Sequence, residues 1–243
     1  MVKFFDNVFS YEYPFSAVTL AYYLRYPNPY STHVLSADTL SRDFDPVNQT
    51  LTTTRLLLKR GKLPSSVTRF LPKIKESYIL EKSVVDLKKM EMRTETRNLE
   101  WEGVLSVVES QTYTPLPAPI AHGTANDDPL RNGTGLADDH TSVRTVVRFE
   151  SRLGGVQKAE GIASRVASWG TGGVQRGIEA AAYQRMKENV QRSKEGLKIV
   201  LHGLREKGVI ATMVERRERK VKEMRERATG WGGIWGRNKV EAE

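Results

Sequence analysis

The stretch Arg25–Ser36, RYPNPYSTHVLS, constrains the fold more than any other part of the chain. Pro27 and Pro29 flank Asn28, with Tyr26 and Tyr30 on either side. Proline lacks the amide hydrogen that a helix interior needs and pushes the residue before it toward an extended conformation. A helix arriving from the N-terminal side therefore ends near Arg25, and a strand leaves at about His33. Pro14 is well placed to open that helix, predicted over Pro14–Tyr26. Phe15, Val18, Ala21 or Tyr22, and Arg25 recur along it at helical spacing. Arg25 thus closes a stripe that otherwise points at the core. Either it reaches back to water at the helix end, or it has a task inside.

Strand patterns surround this element. Lys3–Phe9 precedes it, and Val34–Asp45 and Leu51–Arg60 follow, joined by a polar turn at Asp45–Gln49. In the second of these, Leu51, Thr53, Arg55, Leu57 and Lys59 share one face. Periodicity alone favours an exposed face, but two cations beside two leucines also suit a wall that is half apolar and half anion-seeking. Ser77–Asp86, Arg93–Leu99 and Val104–Tyr113 are further strands, with turns at Asp86–Met90 and Glu102–Gly103. Glu81 is the only acid inside Ser77–Val85, on the face of Ile79, Ser83 and Val85. Val143–Arg152 is the cleanest strand, with Val143, Thr145, Val147 and Phe149 facing one way.

Two segments break the pattern. Gly61–Pro72, GKLPSSVTRFLP, sets apolar residues among prolines and serines, so it is either a loop pinned to the core or a lid. Thr114–His140 is rich in Pro, Gly, Asp and Asn without apolar periodicity, and reads as a flexible insertion. The remainder is helical. A piece at Val156–Trp169 is interrupted at Gly170–Gly173. A long helix, Val174–Arg205, then carries the stripe Ile178, Ala182, Met186, Val190, Leu197, Val200, Leu201 and Leu204. Arg185, Asn189 and Arg192 lie on one line beside that stripe, as border charges or as ligands. A densely charged tail follows, with Trp231, Ile234 and Trp235 near its end. The order strand, helix, about six strands, long helix predicts an α+β fold, a curved antiparallel sheet of about seven strands closed by the C-terminal helix. A cavity is expected between the two layers.

Composition narrows the chemistry. The 243 residues can bury one substantial core, and no apolar run approaches the ~20 residues of a spanning helix. The N-terminus MVKFFDNVFS carries no targeting-peptide pattern, which favours the cytosol or a compartment reached by another route. With no cysteine, disulfides and thiolate ligands are excluded. The sequons at Asn48 and Asn132 read as chance. Four histidines show no metal-ligand spacing, and neither a nucleophile elbow, a phosphate loop nor a carboxylate pair is evident. No catalytic residue, metal or cofactor is expected. The net charge of +9 points to a polyanion, nucleic acid or an anionic membrane. Arg25, Lys59, Arg185, Asn189 and Arg192 sit on elements expected to surround the cavity, where cations without matching acids would favour a phosphate guest.

RYPNPYSTHVLS, TTTRLL (Thr52–Leu57), GKLP (Gly61–Pro64), SVVD (Ser83–Asp86) and ENVQRS (Glu188–Ser193) together resemble the PRELI family. These are phospholipid-transfer proteins of the mitochondrial intermembrane space. The likeness runs from Met1 to roughly Arg205, and RYPNPY with GKLP is most similar to the phosphatidic-acid-carrying branch. It implies a START-like lipid-transfer fold over residues 1–206, with the insertion at 114–140 and a basic helical or disordered tail at 207–243. It implies that Arg25, Lys59, Arg185, Asn189 and Arg192 bind the headgroup, with His33 and Glu81 nearby. Arg185 and Arg192 stand where the family often has lysine. Lys62, Leu63, Pro64, Val67, Phe70 and Leu71 match the family's lid. The resemblance also implies a small disulfide-bonded helical-hairpin partner, which would account for import without a presequence, and transient contact with an anionic membrane surface. The expected function is non-enzymatic shuttling of phosphatidic acid between the outer and inner mitochondrial membranes for cardiolipin synthesis, with Arg25→Glu abolishing transfer while sparing the fold. The alternatives are a phosphatidylserine carrier of the same family and a basic nucleic-acid binder, although no aromatic-basic RNA motif supports the latter and no nucleic-acid partner is expected. A lipid hydrolase lacks a nucleophile constellation.

Overall fold

Alternating strands that bury one face need a covering layer, and the long C-terminal helix supplies it. In the computed structural model, residues 2–60, 76–100, 105–116, 140–151 and 171–237 are described. Strand β1 (Val2–Tyr11) leads to helix α1 (Phe15–Leu24) and a single 3-10 turn (Pro29–Ser31). The strands β2 (Val34–Asp45), β3 (Thr50–Arg60), β4 (Glu76–Asp86), β5 (Glu91–Asn98), β6 (Leu105–Leu116) and β7 (His140–Ser151) follow. Helix α2 (Thr171–Arg237) ends the described chain, and its side chains are described for 183–184, 186–222 and 224–225.

All seven strands form one sheet in the order β1-β7-β6-β5-β4-β3-β2. Every pairing is antiparallel. Strands β2 to β7 form a meander, β1 adds to its far edge beside β7, and α1 carries the chain from one edge to the other. The ladder of β2 slips between Val34 and Ser36 and again between Thr39 and Ser41. Such irregularities sharpen the local twist and bend the strand, which helps curve the sheet. The result is the expected α+β architecture, a curved antiparallel sheet with a long C-terminal helix.

One core ties three layers together. Phe15, Val18, Ala21 and Tyr22 of α1 pack with Val85, Met92, Tyr113 and Val143 of the sheet and with Leu197, Val200 and Leu201 of α2. A second cluster joins Phe5, Val147 and Phe149 to Val190, with Val107 and Met186 packed against it. Val143, Thr145, Val147 and Phe149 all point inward, as their alternation predicts.

Several boundaries are corrected. α1 stops at Leu24 and uses Arg25 as its C-cap, because the Tyr26–Pro27 segment cannot continue it. Thr114–Leu116 continue β6 and His140 opens β7; Pro115 is tolerated in a strand whose neighbours fix its register. The rest of the insertion lies outside the described residues, as do the helix expected at Val156–Trp169, its break at Gly170 and the loop Gly61–Pro72. Thr171–Gly173 form the first turn of α2. α2 does not end at Arg205 but bends at Gly208, whose φ of 78° and ψ of 173° suit glycine, and resumes.

Candidate functional site

The turn after α1 is built around Asn28. Its Oδ1 accepts from the Tyr30 amide at 2.9 Å and its Nδ2 donates to the Arg25 carbonyl at 2.5 Å. The Tyr26–Pro27 peptide is cis. α2 presses Gly196 onto this turn, so closely that a Cβ there would stand 2.8 Å from Asn28 Oδ1. Glycine is needed at 196 for that approach.

The fixed turn holds the Arg25 side chain indoors. Its Nη2 donates to Glu81 Oε2 at 2.5 Å, and its guanidinium carbon lies 4.0 Å from the Tyr22 ring centroid. Arg55 takes the other carboxylate oxygen, Nε donating to Glu81 Oε1 at 2.6 Å with Nη2 bonded to the same atom. Arg55 Nη1 also donates to the Tyr23 carbonyl at 3.2 Å. Two buried cations thus share one buried anion, leaving a residual positive charge. Burial works to raise the Glu81 carboxyl, but the charges of Arg25 and Arg55, with the hydrogen bond from Arg55, outweigh it and hold Glu81 below the usual carboxylate range. Arg25 Nε is buried without a hydrogen-bond partner. The face of β3 is therefore not an exposed one: Thr53, Arg55 and Leu57 are buried.

Beside Arg25 lies a cavity of ≈ 90 Å³, room for a few waters or one phosphate-sized group. Arg25, His33, Lys59, Asn189 and Arg192 all line it. Four separate stretches of sequence converge there: the end of α1, the residue before β2, the end of β3 and the first half of α2. Among the described residues neither Lys59 nor Arg192 forms an ion pair. Burial, then Lys59 and Arg192, pushes the His33 imidazole down to about 4, so it is neutral at physiological pH. Glu81 lies behind Arg25 as its counter-ion rather than in the wall. The side chain of Arg185, and the lid candidates Lys62, Leu63, Pro64, Val67, Phe70 and Leu71, lie outside what is described.

Sequence reasoning missed the far wall. Thr94 and Thr96 of β5 and Glu109 and Gln111 of β6 complete the cavity. Gln111 Nε2 donates to Glu109 Oε1 at 2.8 Å, and Tyr113 Oη donates to Gln111 Oε1 at 2.6 Å. Burial raises the Glu109 carboxyl; Lys59 and Arg25 pull it down without cancelling the rise, to which Glu81 adds. The available signal was period two: Glu109, Gln111 and Tyr113 share a face, and their partners Thr145 and Val143 face inward. An anion with apolar chains fits this arrangement. The cations and the amide of Asn189 would meet its charge, while Met186 and Val190 carry the wall on toward Val107 and Phe149.

Among the described residues no cluster could hold a metal ion, and no helix is long and apolar enough to cross a membrane. The profile of the PRELI-like family matches residues 16–128. Protein UPS1, mitochondrial, of Saccharomyces cerevisiae is 35% identical over 206 residues, covering 85% of this chain and 97% of that protein. Human PRELI domain-containing protein 1, mitochondrial, is 29% identical over 217 residues, covering 88% of this chain and 82% of that one. Among solved structures, the ZhuI aromatase/cyclase of a Streptomyces species covers 84% of this chain and 96% of its own, with a TM-score of 0.46 and 12% identity. The chain belongs to the PRELI-like family, alongside relatives that are mitochondrial proteins.

Proposed function

We propose that this protein is a non-enzymatic phospholipid carrier that shuttles phosphatidic acid between the outer and inner mitochondrial membranes for cardiolipin synthesis. The observation that carries the reading is the cavity itself, where Arg25, Lys59 and Arg192 converge and, among the described residues, only Arg25 forms an ion pair. A phosphomonoester offers several acceptor oxygens, which arginine can bind bidentately. Apolar residues on one side of the cavity give the acyl chains a path. Work in the intermembrane space with a small disulfide-bonded hairpin partner belongs to the same proposal.

Glu109 gives a phosphatidylserine carrier its one foothold, since a carboxylate at the wall could meet the serine ammonium. Transfer of labelled lipids between donor and acceptor liposomes, with the hairpin partner co-expressed, separates the two. Selective phosphatidic-acid transfer is expected. Selective phosphatidylserine transfer overturns the branch, and movement of neither lipid by the folded complex overturns the carrier. Lys59→Glu is the variant of choice and should abolish transfer. Arg25→Glu would set two carboxylates side by side in the interior, so the sequence-based expectation that it spares the fold gives way to expected misfolding. The raised Glu109 carboxyl should protonate above the ordinary carboxylate range as pH falls, removing a negative charge from the wall and tightening capture. Glu109→Gln should lose that dependence, and the difference from wild type removes the lipid's own titration.

A further inference from the structure

Past Gly208, α2 turns its amphipathic pattern inside out. Thr212, Arg216 and Arg219, stepping by four and three residues, face the body of the protein. Thr212 and Arg216 are buried, and Arg216 Nη2 donates to the Pro27 carbonyl at 2.8 Å. Thr212 Oγ1 donates to the Gly208 carbonyl at 2.8 Å. Positions 210, 214, 217, 221 and 224 step by four, three, four and three, which puts them on the opposite face. They are Ile210, Val214, Arg217, Val221 and Met224, with Met213 alongside. Ile210 is 80% exposed and Met224 60% exposed. A helix that rests on its own protein normally turns such residues inward. Polar inward and apolar outward is the pattern of a helix with a second surface to cover.

Charge identifies that surface. Arg217, Lys222 and Arg225 are exposed on or beside the stripe and outnumber the exposed Glu218 there, while Lys220 turns toward Asp38 on the body. Of the nearby acids, Glu215 is engaged by Lys207 and Arg219. Arg217 sits in the middle of the apolar row, where a dry protein interface would strand its charge. At a bilayer its stem can lie among Val214 and Val221 while the guanidinium reaches the phosphates. We infer that the outer face of residues 210–224 docks on an anionic phospholipid bilayer, lying in the plane of its interface; the choice of a bilayer as occupant rests on the proposed carrier function. Arg216 holds this helix against Pro27, and Tyr26 beside it lines the headgroup cavity. Docking would therefore hold the membrane one helix diameter, ~10 Å, from the turn that frames the site.

Flotation of the full chain, with its hairpin partner, on phosphatidylcholine vesicles with and without phosphatidylglycerol tests this. Wild type should float with the anionic vesicles and far less with phosphatidylcholine alone. The variant Ile210→Ser/Val214→Ser/Met224→Ser, altered only at exposed positions, should bind at least about tenfold more weakly. Arg217→Glu/Lys222→Glu should lose the preference for anionic lipid. Both should still capture short-chain phosphatidic acid from solution, whereas Lys59→Glu should lose capture yet float normally, so failure of the docking face and failure of the carrier reading look different. Unchanged flotation of the triple variant overturns the inference. So does a wild-type self-association that the triple variant abolishes while vesicle binding is absent, because a second copy would then cover the face.

Discussion

The two halves of α2 are made of similar residues and use them in opposite ways. Before Gly208, Val190, Leu197, Val200 and Leu201 face the core and are buried. After it, Ile210, Val214, Val221 and Met224 face outward, and the contact with the body passes through Thr212 and Arg216. Periodicity is equally clear in both halves, so periodicity alone does not say which face a helix buries. What decides is the surface opposite. The first half meets the apolar side of the sheet and α1, while the second meets the backbone carbonyl of Pro27 and, more loosely, Asp38, which lies 3.8 Å from Lys220.

The contrast can be broken from the inside. The first half lies over charges that must stay balanced, so Glu81→Gln, which leaves Arg25 and Arg55 without their shared anion, should cost about 3–5 kcal/mol in urea unfolding. The Glu81 carboxyl is lowered in the folded state, so its contribution is present above the ordinary unfolded value and lost as pH falls through the lowered one. The gap between wild type and variant should therefore close in acid. Leu201→Ala, at a fully buried position of the first half, should cost about 2–5 kcal/mol. Gly208→Ala should cost about 1–3 kcal/mol, because its backbone conformation belongs to glycine, and should speed amide exchange over 209–222 more than over 190–204. The sharpest comparison is the smallest effect: Ile210→Ala in the second half should shift stability by less than about 0.5 kcal/mol. A loss equal to that of Leu201→Ala would mean that the second half is packed like the first.

The strands were the most legible part of the chain. Alternation in β7 gave its inward face, and the proline-bounded turn gave the end of α1 and the start of β2 to within a residue or two. Arg25 and Arg192 were legible through RYPNPY and ENVQRS, and Lys59 through the alternation of β3. Glu109 and Gln111 were not, because a polar pair on a strand looks the same whether it faces solvent or a polar cavity. Arg55 stood on the right face, but only the partner Glu81 across the β3–β4 ladder explains its burial. Gly208 was hidden between Lys207 and Val209 in a run without a helix-stop signature. Arg216 was indistinguishable from its neighbours in ERRERK, since only one of those charges finds a carbonyl to hold.

Glu81 bears on the unloaded protein as much as on the loaded one. Because the two arginines are already neutralised in part by a residue of the chain, emptying the cavity does not leave them to repel each other across a dry interior. A phosphate guest would meet Lys59, Arg192 and the cavity edge of Arg25, while Glu81 keeps its own bonds to Arg25 and Arg55. The triad would thus hold α1 against β3 and β4 whether or not a guest occupies the cavity.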